Sequence, residues 1–201
     1  MMPFLAVVLA YFIGAIPVGY LLVKWRTGSD VRAAGSGNIG ATNVLRTAGK
    51  ASGVATLLLD IAKGYIAVWI AERASQNSPA WMSLAAIAVM AGHAFPIFLG
   101  FKGGKAVACF IGAFLRLTPL PMSAALVVFA GLVAWTRHIS IGSIIAAGTF
   151  PLAVWLLLQP PLSVEVASVA AAAIIIYRHK ANIERLRRGK EHVLSWGGPR
   201  P

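Results

Sequence analysis

Charge is what this chain has least of. Only 12% of its 201 residues are Asp, Glu, Lys or Arg, whereas a soluble domain carries about 25%. Hydrophobic residues make up 58% of the chain, and the mean hydropathy is +0.76. That composition does not supply a water-facing surface. The chain therefore reads as an all-α integral membrane protein, with residues 1–201 forming one membrane-embedded domain. Acids are scarcer still, at 6 against 18 Lys and Arg. No cluster of Asp is present to hold Mg²⁺, which argues against metal-dependent transfer of the CDP-alcohol kind. The single cysteine, Cys109, rules out an internal disulfide or a thiolate metal site within one chain. No His and Cys fall at zinc spacing. Neither a metal nor a cofactor is expected.

Seven hydrophobic spans are predicted, over residues 3–23, 53–71, 80–98, 105–117, 120–136, 140–158 and 162–177. The fourth is short for a bilayer that takes about 20 helical residues to cross, so a partly interfacial or re-entrant placement stays open. With six crossings, residues 24–52 would lie opposite the tail. Basic residues favour seven. Lys24, Arg26, Arg32, Arg46, Lys50, Lys102, Lys105, Arg137, Arg178, Lys180, Arg185, Arg187, Arg188, Lys190 and Arg200 then share one side. The positive-inside rule makes that side cytoplasmic, with the N-terminus outside and the C-terminus inside. Residues 1–23 contain no Lys or Arg, which speaks for a retained anchor over a cleaved signal peptide. The net charge of +12 suits anionic lipid headgroups and anionic substrates. The basic residues lie in short turns, so nucleic acid is not an expected partner.

Three polar clusters break the hydrophobic pattern. The first is Gly-Ser-Gly-Asn-Ile-Gly-Ala-Thr-Asn-Val-Leu-Arg at 35–46. Glycines let backbone N–H groups approach an anion closely, and a helix N-terminus adds positive potential. Thr42 or Asn43 is expected to cap a helix starting near Val44, and Arg46 to close on phosphate. The second cluster runs from Gly92 and His93 to Lys102-Gly103-Gly104-Lys105, two ammonium groups flanking two permissive backbone positions. Phe95, Phe98 and Phe101 within it could wall an acyl chain, or serve as interfacial aromatics. The third follows the last span. If the helix continues, His179, Asn182 and Leu186 share a face, and imidazole is a natural base near neutral pH. Asp60 and Lys63, one helical turn apart within a span, either neutralise each other or line a wet cavity. Ser143 falls on the same side as the clusters.

In order and content, these clusters resemble the integral membrane type of the bacterial acyl-phosphate:glycerol-3-phosphate acyltransferase family. The motifs that carry the resemblance are residues 35–46, 92–105 and 179–191. Where many members continue Gly-Val-Ala-Thr after the second lysine, this chain has Ala106-Val107-Ala108-Cys109. The resemblance implies an O-acyltransferase of the bacterial inner membrane, multi-pass, whose site faces the cytoplasm. It moves a fatty acyl group from acyl phosphate to the 1-hydroxyl of sn-glycerol 3-phosphate. The products are lysophosphatidic acid and inorganic phosphate, the first acylation of phospholipid synthesis. It also implies a functional link to an enzyme that makes acyl phosphate.

Read with the residues, it assigns the chemistry to His179, Asn182, Ser36, Arg46 and Lys105. Phosphate and substrate binding falls to Gly37, Asn38, Gly40, Thr42, Asn43, Lys102, Gly103, Gly104, His93, Ser143, Asp60 and Lys63. Glu191 takes a structural role beside an arginine. Whether His179 or a substrate phosphate takes the proton stays open, as does which cluster grips which phosphate. Two other classes compete. A transporter would show inverted repeats and a midplane site, and a lipid-binding scaffold would not need His179 and Asn182 together.

Overall fold

The computed structural model describes residues 1–194; Arg200, counted above with the basic tail, lies outside them. Among the described residues the chain is helical, without strands. The helices are α1 (Met2–Ala15), α2 (Val18–Thr27), α3 (Ala41–Ala74), α4 (Pro79–Ala94), α5 (Val107–Leu117), α6 (Pro119–Thr136), α7 (Ile139–Leu158), α8 (Leu162–Arg178) and α9 (Lys180–Arg187).

Five segments are long and apolar enough to cross a membrane: Met2–Thr27, α3, Pro79–Leu99 (α4 and the turn after it), α6 and α7. The pair α8 and α9, bent by 56°, adds a sixth, and α5 is a shorter apolar helix. Large apolar side chains such as Leu58, Val127 and Leu162 face outward, as they would toward lipid. Trp25 and Trp135, 84% and 83% exposed at the ends of α2 and α6, sit where indoles favour the membrane interface.

The first span departs from the continuous helix expected over 3–23. Pro17 has no N–H to donate, so the helix stops at Ala15 and restarts at Val18. At 1.5 Å per residue, the 34 residues of α3 would reach about 50 Å if straight. A break at Gly49, where φ is +85°, sets the first two turns apart from the span proper.

Helix packing follows the small residues. α3 and α5 cross so closely that a Cβ on Gly112 would lie 1.8 Å from the carbonyl oxygen of Ile61, and one on Gly64 would lie 2.2 Å from that of Cys109. Such contacts bring backbones together where lipid gives helices no hydrophobic reason to associate. Phe110, Phe114 and Phe150 fill the core behind this crossing. Both α5 rings meet Phe150 edge to face, with centroids 4.9 Å apart. At the other end of α5, Arg116 pairs with Glu72 of α3. Helix α5 is thereby held firmly against α3, and the loop before it opens into a cavity.

Candidate active site

That cavity has a volume of about 580 Å³ and brings the three polar clusters together. Ser36, Asn38, Gly40, Thr42, Asn43 and Arg46 line it from the first cluster. His93 and Lys105 come from the second, His179, Asn182 and Glu191 from the third, and Asp60 and Ser143 from the spans between.

The first cluster is organised by one side chain. Asn43, 1% exposed, accepts a hydrogen bond from the N–H of Ser36 at 2.8 Å. Its amide group donates to the carbonyls of Val31, Ala34 and Asn38 at 2.9–3.1 Å. Its two N–H donors are shared among these three loop carbonyls, so Asn43 shapes the site without a donor left for phosphate. Nor does it cap the helix. Helix α3 starts at Ala41, three residues before the expected start, with Gly40 as N-cap and no side-chain cap. Asn38 accepts from the N–H of Gly40 at 2.8 Å. The N–H groups of Ala41 and Thr42 take no partner among the described residues, and both residues line the cavity. This is the anion-seeking end of a helix dipole. Arg46, on the next turn, makes no ion pair among the described residues.

The second cluster divides. Lys105 lines the cavity, whereas Lys102 is exposed and outside it. Gly103 and Gly104 are buried behind the cavity, and Gly37 is exposed beside it. A Cβ on Gly104 would sit 2.1 Å from Nε2 of His93, so the glycine exists to let the imidazole in. Lys105 is pushed down from the usual lysine range to about 8, first by burial and further by Arg185, Arg46 and Arg178, with Glu191 opposing. The next residue, Ala106, adopts a left-handed φ of +60°, a conformation that costs a non-glycine residue about 1–2 kcal/mol.

The third cluster bends where a continuous helix was expected. His179 ends α8, and α9 leaves at 56°. Leu186 does not line the cavity. His179 and Asn182 still both enter it, and both are buried. Nδ1 of His179 lies 2.8 Å from the carbonyl of Ile175. That contact places the proton on Nδ1 and leaves the Nε2 lone pair free. Asn182 donates to Glu191 at 2.6 Å, and its own carbonyl oxygen is buried without a protein partner. Glu191 also accepts from Ser140 at 3.0 Å and from Arg185 at 2.8 Å. One carboxylate thus ties α7, α9 and the tail. Burial works against its ionisation, but the bonds from Asn182, Arg185 and Ser140 hold it below the usual carboxylate range.

Within the spans, Asp60 lines the cavity and Lys63 does not. The Lys63 ammonium lies 2.9 Å from Asp60 and donates to the carbonyls of Gly14 and Ile16 at the α1–α2 break. Ser143 turns its hydroxyl back to the carbonyl of Ile139. The fold also brings Asp60, His93 and Cys109 together, with ligand-type atoms within 4.8 Å of one another. Their separation in sequence conceals this cluster. Lys63 already supplies the positive charge at the shared carboxylate, so the donor set does not call for a metal.

Sequence reasoning missed Arg185, Ser140 and His192, all of which line the cavity. Arg185 was detectable as the residue one turn beyond Asn182. Of the two readings of the second cluster's aromatics, exposure fits the interfacial one for Phe98 and Phe101 and not the acyl wall. Phe98 and Phe101 are exposed, and Phe95 packs on Tyr177 and Arg178. Leu57, Ile111, Leu115, Leu126 and Phe129 make the apolar wall instead.

A family model described as glycerol-3-phosphate acyltransferase matches residues 4–189. A glycerol-3-phosphate acyltransferase of Geobacter sulfurreducens is 49% identical over 183 residues, 91% of this chain and 93% of that protein. One of Synechococcus elongatus is 41% identical, covering 91% of this chain and 90% of that protein. A crystal structure of PlsY (YgiH), an integral membrane glycerol 3-phosphate acyltransferase, in its glycerol 3-phosphate form superposes with a TM-score of 0.92. That chain is 36% identical, with 97% of this chain and 96% of that chain covered. Its lysophosphatidic acid form gives a TM-score of 0.89 at 34% identity, with the same coverage.

Proposed function

Because the chain belongs to the glycerol-3-phosphate acyltransferase family, we propose that its acyl donor is an acyl phosphate and its acceptor the 1-hydroxyl of sn-glycerol 3-phosphate. The products are lysophosphatidic acid and inorganic phosphate. One observation carries this reading: a single cavity joins a cationic end to an apolar end. Arg46, Lys105, Arg185 and the α3 N-terminus stand at the first, and α3, α5 and α6 wall the second. A ligand that is phosphate at one end and alkyl at the other fits both. Holding two phosphates near each other requires this density of donors.

The acceptor oxygen attacks the acyl carbon, and the bond from that carbon to the phosphate oxygen breaks. The proton passes to Nε2 of His179 or to the departing phosphate. The free carbonyl oxygen of Asn182 is placed to accept from a glycerol hydroxyl. Ser36, Asn38, Gly40 and Thr42 form the phosphate cradle with Arg46 and Lys105. The mixed anhydride already has a good leaving group, so the step needs neither an acyl-enzyme nor a metal.

The same cavity supports a topology. Residues 36–46, Lys105, Ser140 and 179–192 meet there and therefore share one side of the membrane. An even number of crossings between each pair supports a reading in which α5 and α8 both traverse, giving seven spans. The basic residues on that side support a cytoplasmic site at the bacterial inner membrane, with the N-terminus outside.

The test is purified protein with palmitoyl phosphate and glycerol 3-phosphate, without added metal. Lysophosphatidic acid and phosphate should appear in equal amounts, and palmitoyl-CoA should not substitute. Product from the thioester alone would overturn the donor assignment.

A further inference from the structure

Arg178, the last residue of α8, is half-buried and lies outside the cavity lining. It makes no ion pair among the described residues. Its side chain reaches the loop before α5 instead. Nε donates to the carbonyl of Gly104 at 2.9 Å, and a terminal nitrogen donates to the carbonyl of Gly103 at 2.6 Å. The guanidinium rests on the ring of Phe95, 5.3 Å from its centroid. The N–H of Gly104 donates to the carbonyl of His93 at 3.0 Å. The peptide groups just before Lys105 are thus fixed from α8 on one side and α4 on the other. The residue after it is held in a left-handed turn.

We propose that Arg178 is a positioning residue: its two-pronged grip on Gly103 and Gly104 sets where Lys105 stands in the cavity, without touching substrate itself. The neighbouring residue is His179, so the clamp also fixes Lys105 relative to that imidazole. A planar guanidinium holds two donors in one fixed fork, whereas a lysine ammonium is a point charge on a flexible stem and does not hold that geometry. The proposal rests on the reading that Lys105 binds a substrate phosphate.

The groups facing Lys105 are Glu191 from the tail, Arg185 from α9, Arg46 from α3, and Arg178 and His179 at the end of α8. Removing the charge of Arg178 should let Lys105 titrate at higher pH. Removing only its geometry should not.

The experiment is steady-state kinetics against pH for Arg178→Lys, Arg178→Gln, Lys105→Gln and the double Arg178→Gln/Lys105→Gln. Lys105→Gln is expected to raise the KM of one phosphate-bearing substrate and to abolish the alkaline limb of kcat/KM. Arg178→Lys should raise the same KM by roughly ten- to a hundredfold and leave the limb in place. Arg178→Gln should raise it similarly and move the limb to higher pH. The double variant should match Lys105→Gln within about twofold, as expected when one residue acts only through the other. Arg178→Lys keeps charge and stem, and it carries the test where the Gln variant does not fold. A wild-type KM in Arg178→Lys beside a raised one in Lys105→Gln overturns the clamp alone, as does additivity in the double variant. Wild-type kinetics in Lys105→Gln overturn the reading beneath it.

Discussion

The ammonium of Lys63 donates to the carbonyl of Ile16, 2.8 Å away, where the first span breaks before Pro17. It donates as well to Gly14 and lies 2.9 Å from Asp60. A broken helix inside a membrane leaves carbonyls that water cannot reach, and a lysine from the next span satisfies them. Lys63→Met would strand the Gly14 carbonyl, leave the Ile16 carbonyl only the N–H of Val18, and take the partner from the Asp60 carboxylate. Losing one partner of a buried pair costs about 3–5 kcal/mol, so thermal unfolding in detergent should fall markedly. Adding Asp60→Asn should recover part of the loss. An unchanged melting temperature in the single variant would remove the capping role.

Asn43 supplies four hydrogen bonds to the loop that faces the cavity. Asn43→Asp keeps the shape but exchanges a donor of three bonds for an acceptor pointed at three carbonyls. Each buried group left unpaired costs about 1–3 kcal/mol. The variant should lose activity at least as severely as Asn43→Ala. Thr42→Val, by contrast, should keep the fold and raise the KM for a phosphate substrate. Comparing the melting temperature with the KM separates the two roles.

How much of this was legible beforehand depended on the distance over which each signal acts. Hydropathy marked the spans because lipid contact is a local property of each side chain. The glycines and amides of 35–46 announced an anion loop, since turn chemistry is local too. Lys63 was ambiguous because its partners lie at Gly14 and Ile16, far back in the chain. Lys102 and Lys105 were both given to the substrate site, and only the turn at Phe101, with φ of +63°, and the burial of Gly103 and Gly104 separate them. Whether Phe95, Phe98 and Phe101 wall the cavity or face the interface stayed open in sequence, because packing between helices decides it. The position of Ala106 is a local cost that the chain carries where relatives were expected to have glycine.

With Lys105 held at about 8 in the ligand-free protein, its charge is complete below that pH and lost above it. A bound phosphate favours the charged form and raises the value. The apparent affinity for the phosphate substrate should therefore decline as pH rises through 8, and kcat/KM should show an alkaline limb there. Lys105→Arg should remove the limb, because guanidinium stays charged. A limb unchanged in that variant would assign the titration to another group.

His179 offers Nε2 toward the cavity with Nδ1 engaged by Ile175. His179→Ala should reduce kcat/KM by about a hundredfold or more on either proton route. His179→Gln separates them, since its amide can hold a hydroxyl but cannot take a proton at neutral pH. Near-complete loss with Gln assigns the proton to the imidazole. Substantial retention assigns it to the departing phosphate, with His179 holding the acceptor.

Ile111 of α5 lines both the large cavity and the small pocket adjoining it between α5, α6 and α7. In the proposed reaction, the acyl chain runs along this wall. Ile111→Phe would fill the channel and oblige a long chain to bend or withdraw. Each methylene displaced from an apolar pocket is worth about 1–3 kcal/mol in discrimination. The KM for palmitoyl phosphate should rise by tenfold or more while that for a shorter donor changes little. Ile111→Ala should relax the preference toward longer chains. The KM for glycerol 3-phosphate should stay constant throughout, because Ile111 lies among the apolar residues and not among the cations. Parallel rises in both KM values would place the alkyl chain elsewhere and attribute the effect to a displaced α5, which carries Lys105 at its entrance.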